Sequence, residues 1–197
     1  MQNSSPDTTT FLQKQLPAVE GVRQLLDELP EIPAPGKASV AKKLGKGIVE
    51  KLGADGMIPK SNALYTEEEA VFDVNGHSVG FSEITGDGSV ANSSLSDATL
   101  TLVCDNGLAS FSTKVIGNIL VRKTGAGVLS VKGNATSNAC DLEIEEGTVV
   151  FEDRESSTYG KVTVHAGSTL DISKCNFVCG QLVREPGSRV IRKGGLL

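Results

Sequence analysis

His77 and His165 are the only histidines among the 197 residues, and imidazole is the side chain best suited to move a proton near neutral pH. A hydrolytic set would join one of them to a nucleophilic Ser or Cys and an orienting carboxylate. No Ser-His-Asp or Cys-His set can be assembled from the spacing. His77 stands in Asn75-Gly76-His77 and His165 in Val164-His165-Ala166-Gly167, both turn or strand contexts, so structural roles are expected for both. Asp73 and Asp171 are expected to occupy equivalent ladder positions beside a turn. Two carboxylates roughly 5 to 9.5 Å apart could cleave a glycosidic bond, but about five repeats of chain separate these two, which makes a structural role the expectation.

Cys104, Cys140, Cys175 and Cys179 have no His at metal-ligand spacing, and Cys175-Asn176-Phe177-Val178-Cys179 lacks the two-residue gap of zinc knuckles and redox dithiols. No metal and no cofactor are expected. A Cys175 to Cys179 disulfide and small buried thiols stand as equal alternatives. The acidic run Glu143, Glu145, Glu146, Glu152, Asp153 and Glu155 lacks the Gly-Gly-x-Gly-x-Asp pattern of calcium-binding β-rolls and is read as a solvated face. Lys42, Lys43, Lys46 and Lys51 are interrupted by Glu50 and have no Trp or Phe beside them, so they too are read as a solvated face rather than a membrane contact. Gly86-Asp87-Gly88 and Gly125-Ala126-Gly127 are not phosphate loops, because neither leads into a helix carrying Lys-Ser or Lys-Thr. A net charge of -5 gives no basic face for nucleic acid.

The elements that hold these residues are set by a repeat. Gly107, Gly127, Gly147, Gly167 and Gly187 lie 20 residues apart, and Gly88 lies 19 before the first. Apolar residues keep the same phase: Leu142, Val162 and Leu182 stand five before a Gly, and Val150, Leu170 and Val190 three after. Upstream, Ala70-Val71-Phe72-Asp73-Val74 reads like Ser168-Thr169-Leu170-Asp171-Ile172, with Glu69 where Gly167 stands. Each period holds two short alternating runs, as in Asp141-Leu142-Glu143-Ile144 and Thr148-Val149-Val150-Phe151, which is a strand, tight turn, strand pattern. Such a unit buries its apolar face only against the identical unit above and below, so a β-solenoid is predicted, with about seven coils over residues 64 to 192 and a rod on the order of 30 Å long. The glycines are expected at a repeated φ > 0 turn whose stacking leaves no room for a side chain. With 4% aromatic residues and no Trp, the composition suits a narrow stacked core.

Gly117-Asn118-Ile119-Leu120-Val121-Arg122 followed by Lys123-Thr124-Gly125-Ala126-Gly127-Val128-Leu129-Ser130-Val131-Lys132-Gly133-Asn134 resembles the signature that opens each unit of the autotransporter-associated β-strand repeat. Ile144 to Val149 and Val164 to Leu170 match the second half of that unit. Ala70 to Val79 and Ile84 to Ser93 resemble the lead-in of the same family. Together the matches span residues 57 to 192. The resemblance implies a right-handed parallel β-helix in a long protein that is secreted or displayed on a Gram-negative-type cell surface, often ending in an outer-membrane barrel. The four cysteines depart from that pattern.

Residues 17 to 29 carry Val19, Val22, Leu25, Leu26 and Leu29 at helical spacing, and residues 38 to 52 carry Val40, Leu44, Ile48 and Leu52 at i+4 steps, so two amphipathic helices are predicted. Pro30, Pro33 and Pro35 make the link between them. The organisation is therefore residues 1 to 56 as a disordered tail plus helices that cap the first coil or serve as linker, 57 to 192 as a mainly β solenoid, and 193 to 197 as a tail with no comparable cap. The opening residues lack a basic stretch and an apolar stretch of the export type, and no run approaches the roughly 18 apolar residues of a spanning helix. With the resemblance, this suggests a fragment of a longer exported polypeptide that does not itself insert in a membrane; a cytosolic protein complete as shown is the alternative. The expected function is a non-enzymatic scaffold or adhesive passenger meeting surface glycans or cell-surface proteins, as a monomer or associated end to end. A carbohydrate-active β-helix (polysaccharide hydrolase or lyase) and an inert spacer for a missing domain are the alternatives. Asp, Arg and Lys gathered from adjacent coils on one face would favour the carbohydrate-active reading.

Overall fold

A computed structural model describes residues 42–56, 58, 60, 62–132, 140–152 and 156–196. The predicted helix at 17 to 29, the proline link and the N-terminal tail lie outside these residues. In chain order the strands are β1 (Lys42–Leu44), β2 (Val49–Lys51), β3 (Ala63–Thr66), β4 (Val71–Asp73), β5 (Val79–Phe81), β6 (Glu83–Gly86), β7 (Ser89–Ala91), β8 (Ala98–Val103), β9 (Leu108–Phe111), β10 (Lys114–Ile116), β11 (Ile119–Thr124), β12 (Val128–Val131), β13 (Asp141–Ile144), β14 (Thr148–Phe151), β15 (Ser156–Val164), β16 (Thr169–Asp171), β17 (Asn176–Arg184), β18 (Arg189–Arg192) and β19 (Gly195–Leu196).

They stack into three sheets. The first runs β1-β3-β6-β9-β12-β14-β16-β18-β19, the second β10-β7-β4-β2, and the third β17-β15-β13-β11-β8-β5. Every pairing is parallel except β18 with β19. The chain thus winds from first sheet to second to third and back, a parallel β-solenoid of about seven turns. At roughly 4.8 Å between neighbours, its first sheet measures about 34 Å from β1 to β18. Where sequence periodicity suggests two strands per period, coils such as β6-β7-β8 have three sides. Toward the C-terminus the second and third sides fuse into the nine-residue β15 and β17. These pair from Ser156 with Asn176 to Val164 with Arg184, and the ladder is interrupted where Gly160 faces Gly180.

Alternation within each strand sends one set of side chains inward, and the parallel register stacks like on like. On the third sheet Val79, Leu100, Val121, Leu142, Val162 and Leu182 form one ladder, each some twenty residues from the next. On the first sheet Ala109, Leu129, Val149, Leu170 and Val190 form another. Leu100, Val121, Leu142, Val162, Leu129, Val149 and Leu170 are buried, and each contributes about 1.5–3 kcal/mol by leaving water. Both ends of the core carry edge-to-face aromatic pairs, Phe72 with Phe81 at 5.6 Å and Phe151 with Phe177 at 5.1 Å, and Tyr159 stacks on Phe177 at 5.7 Å.

Three expectations change. Residues 42 to 52 are not helical: β1 and β2 pair with β3 and β4, so the solenoid begins at least fifteen residues before position 57. The i+4 pattern that suggested a helix is produced by a corner. Leu44 ends one strand facing the core, Gly45-Lys46-Gly47 turns the chain with Gly47 at φ 69, and Leu52 returns to the core, while Ile48 is left half exposed. Two glycines two residues apart also make this a poor helix. At the other end, the described part of the expected tail, residues 193 to 196, is not bare, since β19 folds back antiparallel, Ile191 pairing with Leu196, and pairs with β18 in the first sheet. The Cys175 to Cys179 disulfide does not form, and all four cysteines are free thiols. Cys179 stands within β17 and Cys175 in the bend just before it.

Candidate functional site

The glycine ladder marks one edge of the rod. Gly107, Gly127 and Gly147 immediately precede β9, β12 and β14, and Gly167 and Gly187 lie two residues before β16 and β18, so all five stand at the corner where the third sheet hands over to the first. Gly88 precedes β7 and Glu69 lies just before β4, both in the second sheet; their near-20 spacing joins two different corners. For the same reason Asp73, on the second sheet, and Asp171, on the first, do not share a ladder, although each accepts the amide two residues on, Asn75 at 2.9 Å and Ser173 at 2.9 Å.

The two reasons offered for glycine separate here. Gly107, Gly147, Gly167 and Gly187 lie at φ 70 to 88, and so does the non-glycine Glu69, at φ 63. Gly88 and Gly127 are not in that region. In each Gly-x-Gly the earlier residue, Gly86 or Gly125, takes the positive φ, and the later one is pressed on the coil before it: a Cβ on Gly127 would lie 2.7 Å from the Cys104 carbonyl.

Inside the corner sits Lys123. Its inward ladder runs Phe81, Leu102, Lys123, Ile144 and Val164, so a lysine occupies a position its neighbours fill with hydrocarbon. Its side chain is fully buried. The ammonium donates to the carbonyl oxygens of Gly125, of Gly127 at 2.7 Å and of Glu146 at 2.8 Å, the last belonging to the next coil. Burial lowers its pKa from the ordinary 10.5, against the pull of Cys104, Glu146 and Asp105. Burial likewise raises the Cys104 thiol above 9.0, with Lys123 opposing, and raises the Cys175 and Cys179 thiols. A protonated thiol is a poor nucleophile.

Outside the same corner a chain of charges climbs the coils. Arg122 Nε lies 2.9 Å from Glu143 and 3.1 Å from Glu145. Glu143 meets His165 Nε2 at 2.9 Å, and His165 Nδ1 meets Glu185 Oε1 at 2.9 Å. The His165 pKa is raised from 6.5, chiefly by the Glu143 contact and then by Glu185 against a desolvation that lowers it. Burial by itself would raise the Glu143 carboxyl, but His165 and Arg122 outweigh it and hold it below 4.5. Glu185 is also lowered, by the Ala166 amide at 3.0 Å and by His165.

Next to this chain, the outer face of the third sheet carries a depression of about 160 Å3 lined by Leu120, Asp141, Glu143, Lys161 and Thr163, and another of about 320 Å3 that reaches Arg122 from Lys60, Thr99 and Thr101. Arg, Asp, Glu and Lys from adjacent coils therefore do share one face. The arginine and the carboxylates are committed to structure: Arg122 to Glu143, Glu143 to His165, and Asp141 Oδ1 accepting from the Lys161 backbone amide at 2.7 Å. A larger depression of about 610 Å3 lies by Glu152, Ser173, Lys174, Asn176 and Lys193.

His77 stands apart on the first coils, 3.3 Å from Asp55. Asp73 accepts from the Ser93 hydroxyl at 2.6 Å and the Ser93 amide at 3.0 Å. Burial would raise its carboxyl, but these bonds, the Asn75 amide and Lys51 outweigh it and hold it below 3.8. Asn92 uses both ends of its amide, donating to the Ser96 and Asn118 carbonyls at 2.8 Å each and accepting from Gly76 at 2.8 Å and Ser94 at 3.1 Å. Among the described residues no group of three or more His, Cys, Asp or Glu is placed to hold a metal, and no helix is long and apolar enough to cross a membrane.

Lys123, Arg122, Glu185 and Asn92 were not singled out by sequence. Lys123 carried a usable signal: it stands 21 residues after Leu102 and 21 before Ile144, the phase of a core position. The others carried none beyond polarity.

The class of molecule so defined is a parallel β-solenoid with a polar-stapled corner. In comparisons with known proteins the chain matches no family model, no curated protein and no solved structure.

Proposed function

We propose that the chain is a non-enzymatic display scaffold of the autotransporter-passenger kind, wound in the right-handed sense that parallel crossovers strongly favour, and that it is exported and presents its outer faces to glycans or proteins of a cell surface. The observation that carries the reading is where the reactive side chains are spent. The imidazole of His165, the carboxylates of Glu143, Glu185 and Asp73, and the ammonium of Lys123 all tie one coil to another. The Lys123-Thr124-Gly125-Ala126-Gly127 run, which carries the family resemblance, supports it by forming the corner in which that lysine is caged.

A carbohydrate-active reading is favoured by one observation, the cluster of Arg122, Asp141, Glu143 and Lys161 on a single face. Acid catalysis of glycoside cleavage needs one carboxyl with a raised pKa. Glu143 and Glu185 at this corner are both lowered, which weighs against it. Incubating the full chain with an immobilised glycan library and following both retention and release of sugar ends separates the readings. Retention without release, together with labelling of the protein on intact source cells, is expected. Release of new reducing or unsaturated ends, abolished by Glu143→Gln, would overturn the scaffold reading.

A further inference from the structure

Most contacts across the corner are insensitive to mild changes of pH, but the one at His165 is not. A carboxylate oxygen only accepts hydrogen bonds, and His165 places each of its ring nitrogens 2.9 Å from one, Glu143 on the coil before and Glu185 on the coil after. Both nitrogens can donate only in the imidazolium form; the neutral ring has one N–H and turns a lone pair toward the other carboxylate. From this geometry we infer a pH-gated clamp: protonated His165 ties three successive coils together, and loss of its proton frees the last coil from one of its ties.

The groups facing the ring set the direction and the place of release. Glu143 comes from β13 and is held by Arg122 of β11, which also engages Glu145. Glu185 follows β17, with its second oxygen on the Ala166 amide; its neighbour Arg184 donates to the Ser188 carbonyl at 3.2 Å. Asp141 and Lys161 lie on the same outer face, tied to each other through the Lys161 amide. Two acidic partners against one shared arginine favour the cation. Glu143 keeps its guanidinium when the ring turns neutral. Glu185, with its side chain 44% exposed against 21% for Glu143, is the contact given up.

The consequence falls on the C-terminal coil. β17 is the edge strand of the third sheet and none of its residues is fully buried, although Phe177, Cys179 and Leu182 still pack on the core, so ties such as the one at His165 weigh more there than between inner coils. A folded-state pKa above 6.5 for His165 means the clamp is fully closed below that value and opens as pH rises through the raised one; the carboxylates, lowered from 4.5, keep it closed down to about that pH. Mildly acidic surroundings therefore tighten the end of the rod, and mildly alkaline ones loosen it.

The test combines an NMR titration of the His165 ring, distinguished from His77 by a His77→Gln variant, with hydrogen exchange of the β17 and β18 amides at pH 5.5 and 8.5, corrected for intrinsic rates. His165 is expected to titrate above 6.5, and Glu185→Gln to lower that value. Protection of the terminal coil is expected to fall by up to about tenfold for each pKa unit of the shift, and to be level across pH in His165→Gln. Titration at or below 6.5, equal protection at both pH values in the native protein, or the same fall in His165→Gln would each overturn the clamp.

Discussion

Replacing Lys123 by Met tests whether the corner needs a cation. The change keeps an unbranched chain of similar length in the ladder between Leu102 and Ile144 and removes only the ammonium. Two effects oppose. Taking a charge out of water costs several kcal/mol even after relaxation, and replacing a buried ion by hydrocarbon is often neutral or stabilising. Removing one partner of a buried set leaves the other side unsatisfied, here at about 1–3 kcal/mol per orphaned group. Three carbonyls lose their donor, and of these Gly127 O keeps the Thr148 amide at 3.2 Å. The Gly127 bond is buried and the Gly125 and Glu146 bonds are partly so, so the second effect wins, by about 1–3 kcal/mol net. Urea denaturation followed by circular dichroism would show this as a lower midpoint with unchanged slope. Because the lowered pKa means that the unfolded chain binds this proton more readily, the native protein should also gain on the Met variant as pH rises through the lowered value toward 10.5. A Met variant as stable as the native protein at neutral pH would refute the reasoning and make Lys123 a tolerated accident of the ladder.

The glycine corner predicts a contrast between positions that look alike in sequence. Gly107→Asn, at φ 79 with open space around it, should cost no more than about 1 kcal/mol, whereas Gly147→Val, at φ 70 with a Cβ 2.4 Å from the Gly127 carbonyl, should cost about 3 kcal/mol or prevent folding; thermal melts of the pair decide it. Asp73→Ala should cost about 1–3 kcal/mol by orphaning the Ser93 hydroxyl and the Ser93 and Asn75 amides. That difference should shrink as pH falls below 3.8, because a lowered carboxylate stabilises the fold above its ordinary value and loses the effect as it protonates. Mild oxidation of the folded protein should leave Cys175 and Cys179 unjoined within one chain, read by peptide mass mapping; an intramolecular 175–179 bridge formed without loss of structure would contradict the free thiols seen on either side of the start of β17.

The solenoid was legible because its signal is one of phase. Inward residues recur at twenty or so, and the same number locates the strands from β9 to β18. Legibility failed where the period changes: Ile84 pairs with Phe111, twenty-seven residues on, because the coil between them carries the Ser93 to Asp97 excursion. It failed again at residues 42 to 52, where the strand-turn-strand of a tight corner spaces Leu44 and Leu52 as a helix would. A hydrophobic pattern records which side chains face inward, and eight residues around a corner can imitate two turns of helix.

The polar corner shows a second limit, and its cause is different. By composition a lysine belongs to a solvated face, as with Lys42 or Lys46, whose partners Glu50 and Glu68 are exposed. Lys123 differs in nothing but register. Its ladder neighbours are hydrocarbon, yet its reach of four methylenes brings the charge to a turn where three carbonyls converge. The same register that buries the chain therefore supplies the acceptors, because stacked corners expose carbonyl groups with no strand partner on that side. His165 is the outward counterpart, in which stacking brings two carboxylates to one ring. In a solenoid the residue type sets what a side chain can do, and the coil above and the coil below decide whether it does it.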